Sequence, residues 1–381
     1  GLGEVVNDRD ADQAAGGHQR HLEQARQVRA LVPELRGFPE DLLDVLTDVA
    51  LAAPGVCAYR ALRRAAGAQV SEDDLAVGAH HVAEGLRSVF NRREIAAMLR
   101  AEEDPDTYRR LVLRHCVEGN LQATLDEYAH VLVEIEGLQQ TTGAERVAQL
   151  AQAMADAASA HTATPRVVSY AHDGDAMKQE GVPVRTHIAA RYGRETNSEQ
   201  VEQTETNIQR SFNSPWWPFV LATTSVGQEG LDFHPYCHAV VHWNLPSNPV
   251  DLEQREGRVH RYKGHVIRRN VALEHAAAVL GDTEDPWAAM FDAAAAQRPS
   301  TANELVPFWV YPGAGRYKIE RYVAAFPLSL EAVRYQRLLR SVGAYRLVLG
   351  QPRQSELVRY AGAGRDLSWA QMDLSPRGSG C

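Results

Sequence analysis

The chain has 381 residues, 44% hydrophobic and 23% charged, the balance of a folded protein and not of a disordered one. Its length suits two or three structural units, and a formal net charge of −9 excludes a globally basic nucleic-acid coat while leaving room for a local basic patch. Of the 40 lysines and arginines only Lys178, Lys263 and Lys318 are lysines. None precedes Ser or Thr or closes a glycine loop, so the sequence holds no G-x-x-x-x-G-K-[ST] phosphate-binding loop.

Cys57, Cys116, Cys237 and Cys381 lack C-x-x-C spacing. That argues against a zinc ribbon or a disulfide framework and suits a reducing cytoplasm. No apolar run is read as approaching the ~20 residues that cross a bilayer, and the polar N-terminus does not resemble a signal peptide. The opening Gly1 reads as part of a longer polypeptide. Residues 1–37 are polar and read as a linker or fragment end. Residues 38–163 read as a helical insertion region. Pro39 suits a first turn, and Leu42, Leu43, Leu46, Val49 and Ala50 follow at the spacing of a buried stripe. Val82, Leu86, Val89 and Phe90, then Leu121, Leu125, Tyr128, Leu132 and Ile135, repeat the pattern.

The texture changes at about residue 164. Residues 166–170 and 184–188 read as strands and 195–205 as a solvated loop. Residues 219–223 and 239–243 read as buried strands, each followed by a loop and helix-like sequence. This alternation predicts an α/β fold over 164–282, a parallel sheet with flanking helices. Residues 283–381 read as a helical C-terminal extension with an aromatic-rich insert at 308–311, and with Trp309, Tyr311 and Tyr317 in its core.

Two segments carry chemistry. In the first, 223–232, Gly227 and Gly230 allow backbone N–H groups to approach an anion or a sugar. Thr223, Thr224 and Ser225 supply hydroxyls, and Asp232 can accept from a ribose hydroxyl or orient an arginine. Alone, such a loop is equally a plain strand-to-loop turn. In the second, 244–261, Asn248 suits an N-cap and Pro249 the first helical position. The spacing predicts a helix running to about Tyr262 and stopping near Gly264. At about 100° per residue, Gln254, Arg258 and Arg261 share one face, and Leu252 and Val259 lie opposite. Two guanidinium groups one turn apart suit a phosphate whose charge is developing. The plainer alternative is a solvated face with salt bridges to Glu253 or Glu256. His234, Cys237, His238 and His242 look like metal ligands, but alternation along a strand from Ala239 turns Cys237 and His238 apart. No metal site is expected there. Trp216–Trp217 reads as a loop anchor in preference to a base-stacking pair.

In order, the two segments resemble motifs V and VI of superfamily-two helicases. Gln254, Arg255, Gly257, Arg258 and Arg261 fill the pattern Q/H-R-x-G-R-x-x-R, and Thr224, Gly227 and Gly230 fit motif V. The run from Asn248 to Arg258 is similar to Swi/Snf-like translocases, within them to the bacterial branch that recycles RNA polymerase. Asp232 and the 262–265 segment depart from the Swi/Snf pattern. The resemblance implies a RecA-like C-terminal lobe over 164–282, facing an N-terminal RecA-like lobe that carries the P-loop lysine and most of the Mg2+ ligands. It implies ATP between the lobes. Arg258 and Arg261 would serve as arginine fingers at the γ-phosphate. Gln254 would couple the phosphate to the nucleic-acid track, and Gly227, Gly230, Asp232 and Arg255 would lie on the nucleotide side. Thr223, Thr224, Ser225 and, more loosely, Arg191 would lie along double-stranded DNA or another nucleic acid. Other proteins of a DNA-processing complex are implied partners, and a membrane is not. Six basic residues against Glu253 and Glu256 give 252–270 a local net charge of +4. The competing expectation is a non-catalytic interaction scaffold built on a helicase-like lobe.

Overall fold

The computed structural model describes residues 40–99, 108–159, 166–173, 176–183, 208–216, 218–223, 232–279, 285–300, 302–311, 317–324 and 328–348, with seven positions between 19 and 27. The chain divides into two units, Gly1–Val226 with Val271–Ala302, and Gly227–Asn270 with Asn303–Cys381.

The first unit begins with α1 (Leu42–Ala52) and α2 (Pro54–Ala65). Pro54 disfavours helical backbone in the residue before it, and Ala53 is extended, at ψ 131°. The stretch Leu42–Ala65 reaches a mean hydropathy of 1.5, long and apolar enough to cross a membrane by length and composition, which corrects the expectation of no such run. The break at Ala53 divides it into helices of 11 and 12 residues, each shorter than a bilayer requires. The predicted stripe on α1 is also corrected: Leu43 is 77% exposed, Leu46 52%, and Ala52 is the buried residue of the helix. Periodicity identifies an amphipathic face but not what covers it.

α3 (Glu72–Phe90) follows a serine cap. Ser71 Oγ accepts the Asp74 N–H at 3.1 Å, and Glu72, Asp73 and Asp74 face the positive end of the helix dipole. α4 (Arg93–Leu99), α5 (Tyr108–Glu118), α6 (Leu121–Ile135) and α7 (Gly143–Ser159) complete the helical run. The core forms where α3 meets α7. Val82, Leu86 and Val89 are buried on α3, and Val147, Leu150, Ala151, Met154 and Ala158 on α7. Gly85 permits the close approach, since a Cβ there would lie 2.9 Å from Ala155 Cα and 3.0 Å from Ala155 O. On α6, Leu121, Leu125, Tyr128 and Leu132 are buried as their spacing predicts, whereas Ile135 is exposed.

β1 (Arg166–Asp173) and β2 (Ala176–Pro183) pair antiparallel, Arg166 opposite Pro183 and Asp173 opposite Ala176. The second strand therefore precedes the expected 184–188, which lies outside the described residues. Residues 219–223 form no strand, and Phe219 and Val220 are 72% and 79% exposed. Four apolar residues with no flanking partner cannot distinguish a buried strand from an exposed connection.

In the second unit, β3 (Ala239–His242) precedes α8 (Pro249–Gly257), and α9 (His265–His275) begins. After α10 (Pro286–Ala296), which belongs to the first unit, β4 (Glu320–Val323) pairs parallel with β3. This short strand lies within the expected, mainly helical extension. α11 (Glu331–Val348) lies beyond it. Leu252 on α8 packs with Leu245, Leu338 and Val342, joined by Val323 and Tyr335. Val241 and Tyr322, paired across the strands, are exposed on the other face.

A valine at position 85 must push α3 from the α7 backbone. The expected cost of Gly85→Val is about 1–3 kcal/mol, measured as lost unfolding free energy in urea. An unchanged midpoint would show that the two helices separate without penalty.

Candidate functional site

α8 starts as its sequence dictates. Asn248 Oδ1 accepts the Val250 N–H at 2.9 Å, and Pro249 is the first helical residue. Its end differs from the expected one: the helix stops at Gly257 and not near Tyr262. The cause is capture of main-chain groups by remote partners. A continuing helix would give the Arg258 carbonyl to the Tyr262 N–H. Instead it accepts the Phe233 N–H at 2.9 Å. The Lys263 N–H, which would reach back to Val259, donates to Phe308 O at 2.7 Å. Val259 and His260 both donate to Glu256 O, and Lys263 adopts φ 45° before Gly264.

Arg258 therefore sits at the C-cap of α8, half-buried, and Arg261 on the turn beyond it, so the two do not share a helical face. Arg261 Nε donates to Asp232 Oδ1 at 3.0 Å, with both side chains about half exposed. The bond to Nε orients the guanidinium and leaves its outer edge directed away from Asp232. Asp232 and Arg261 are thus brought together, and the Phe233–Arg258 bond holds Arg258's backbone beside them. Gln254 is exposed on α8. Arg255 turns back on its own unit, donating to Asn244 O at 2.9 Å, while its Nε is buried without a partner. Thr223 is exposed. Thr224, Ser225, Gly227, Gly230 and Arg191 lie outside the described residues.

Sequence reasoning missed the group that fixes α8. The Glu256 carboxylate accepts two bonds from the Arg321 guanidinium. His242 Nε2 lies 3.1 Å from the same carboxylate, and Arg321 also donates to Tyr335 Oη at 3.1 Å. One acid thereby ties α8 to β3, β4 and, through Tyr335, α11. Burial opposes ionisation of Glu256, but the bonds from His242 and Arg321 outweigh it and hold the carboxyl below its ordinary value. No local signal marks Arg321, which is 65 residues from its partner.

Behind the turn, Arg268 is buried, donates to Lys263 O and Pro235 O, and lies over the Tyr236 ring. Burial, with the charges of Arg268 and Arg261 and against that of Asp232, pushes His234 down to about 4. Burial, with Arg268, Arg269 and His238, pushes His265 to about 3. Among the described residues no group of three His, Cys, Asp or Glu could hold a metal ion.

Residues 175–263 match the family model of the helicase conserved C-terminal domain, under a quarter of the chain. The match ends just after Arg261, so both arginines lie inside it and Arg321 outside. No curated protein and no solved structure matches the chain. The match supports a helicase-type C-terminal lobe over those residues, whose family implies a RecA-like fold; the parallel β3–β4 pair is partly consistent with that fold, whereas β1 and β2 pair antiparallel.

The depressed histidines fix the sign of the unit's acid response. Both stay neutral when folded, whereas the unfolded chain takes up protons below the ordinary 6.5. Their contribution to stability therefore falls from about pH 6.5 and levels off only near 4 for His234 and 3 for His265. Glu256 contributes above the ordinary carboxylate value of 4.5 and is lost below it. Melting curves should show His234→Asn with His265→Asn flattening the pH 6.5–4 slope, and Glu256→Gln costing about 2 kcal/mol at neutral pH. A slope unchanged in the double variant would remove the histidines as its cause.

Proposed function

We propose that residues 164–282 are the second motor lobe of an ATP-dependent DNA helicase or translocase, of Swi/Snf-like type and nearest to the RNA polymerase-recycling branch. The observation that carries this reading is Arg261, about half exposed and held by Asp232 through Nε, inside a segment that matches the helicase C-terminal domain. An exposed guanidinium oriented by a carboxylate suits the oxygens of a phosphate. Arg261 and Arg258 would hold the terminal phosphate of ATP, Asp232 would set the angle of Arg261, and Gln254 would lie between phosphate and nucleic acid. Gly227, Gly230 and Arg255 would complete the nucleotide side, and Thr223, Thr224, Ser225 and Arg191 the track. Bound ATP supplies the phosphoanhydride whose hydrolysis drives movement. The sequence contains no P-loop, so an N-terminal lobe is required to contribute the lysine and most Mg2+ ligands. Around the lobe we assign a linker at 1–37, a helical insertion at 38–163 and an extension at 283–381, in a cytoplasmic protein.

The 381-residue chain alone should hydrolyse no ATP above background. Joined to a P-loop lobe it should show nucleic-acid-stimulated hydrolysis. Arg258→Ala or Arg261→Ala should lower that rate about 10³-fold, with nucleic-acid affinity largely kept. Equal hydrolysis after removal of both arginines would overturn the assignment.

A further inference from the structure

Trp309, expected in the core of the tail, is 37% exposed, and Phe308 beside it is half-buried. They meet the turn beyond α8. The Lys263 N–H donates to Phe308 O at 2.7 Å, and His260 Nε2 lies 2.9 Å from Trp309 O. These contacts, one from the main chain and one from the His260 side chain, fix residues 308–309 against 260–263. Tyr262 then stacks on Phe308, centroids 5.7 Å apart at 23°, and meets Trp309 at 6.1 Å and 61°. Even so, Tyr262 remains 40% exposed and Trp309 37%. Rings gain stability by losing contact with water. Here their packing sets orientation and leaves part of each ring open. Lys263 Nζ lies 5.4 Å from the Tyr262 centroid, and the exposed Arg261 immediately precedes Tyr262.

We propose that Tyr262 and Trp309 form an aromatic ledge on which bases of single-stranded nucleic acid stack, with Lys263 taking an adjoining phosphate. A ring face beside a cation matches a base beside its phosphate. Duplex bases are stacked on one another and reach such a ledge only if extruded, so the ledge selects single strands. Charge agrees: residues 252–270 carry net +4 in a chain of net −9. The ledge adds residues 308–309, beyond the matched 175–263, to the binding surface. The inference rests on the lobe handling nucleic acid, and not on the roles of Arg258 and Arg261 in hydrolysis.

Fluorescence anisotropy of the full chain with a labelled oligothymidylate of about 16 nucleotides, and with a duplex of equal length, tests this directly. The single strand should bind more tightly. Tyr262→Leu and Trp309→Leu should each weaken it about tenfold while leaving duplex binding unchanged, and free ATP should not displace it. Photocrosslinking of a bromouracil-substituted strand to the unmutated chain gives a readout that needs no variant, and the adducts should map to Tyr262 or Trp309. Unaltered single-strand affinity in the double variant, adducts confined to other residues, displacement by ATP, or absence of single-strand binding would each overturn the ledge. Normal stimulated hydrolysis by a two-lobe protein alongside any of these would leave the motor reading standing. Stacking at the ledge without any hydrolysis would do the reverse.

Discussion

The Glu256 carboxylate is the point from which the second unit is built. It lies in the last turn of α8, and its bonds run to Arg321 on β4 and to His242 on β3. A carboxylate taken partly out of water is costly unless its lone pairs are filled. Here a two-pronged guanidinium and an imidazole fill them. Apolar packing alone, through Leu252, Leu245, Leu338 and Val342, would hold α8 near the sheet but would not fix its rotation. The ion pair does, because a bidentate bond has one geometry. Once that rotation is set, Gln254 faces solvent, Arg255 reaches the Asn244 carbonyl, and the chain leaves α8 in one direction.

The turn beyond α8 depends on a second constraint, the competition for main-chain partners. Each remote bond that ends the helix takes a group the helix would have used: Phe233 takes the Arg258 carbonyl, and Phe308 takes the Lys263 N–H. Both exchanged groups keep a partner, so stopping the helix early carries little penalty. The result separates the two arginines. Arg258 stays at the cap, while Arg261 moves onto a turn where Asp232 can orient it. The same exchange brings residues 308–309 beside Tyr262. The end of one helix thus determines both the arginine geometry and the aromatic ledge.

Local and remote constraints also divide the parts of the chain that are legible in its sequence from those that are not. Local rules are legible. Asn248 and Pro249 announce the start of α8, Ser71 and its acids announce α3, and the spacing of Leu121, Leu125, Tyr128 and Leu132 announces a buried face. Leu252 and Val259 belong by spacing to the packed side, and both are buried. Features decided at a distance are not legible. The end of α8 is set by Phe233 and Phe308, the partner of Glu256 is Arg321, and the strand beside β3 comes from residues 320–323. The α1 stripe and the 219–223 run mislead for a related reason, since an apolar pattern records a preference for burial but not the presence of a partner. The motif is legible and its geometry is not: α8 ends at Gly257, so Arg258 and Arg261 do not share the helical face that their spacing predicts.

The scarcity of lysine also takes a different meaning. Several arginines here collect carbonyl oxygens. Arg146 donates to Ala65, Gln139 and Thr141, joining the end of α2 to the start of α7. Arg268 donates to Lys263 and Pro235, and Arg92 to Ala158. A planar fork of five donors can close several chain ends at once, whereas an ammonium concentrates its charge at one point and is more strongly hydrated. Arginine richness is therefore partly architectural, and an all-arginine segment is weak evidence for a phosphate site. What separates Arg261 from these residues is its surroundings. The architectural arginines are committed to carbonyls, and Arg268 is buried. Arg261 is about half exposed and is oriented by a carboxylate, not by carbonyls.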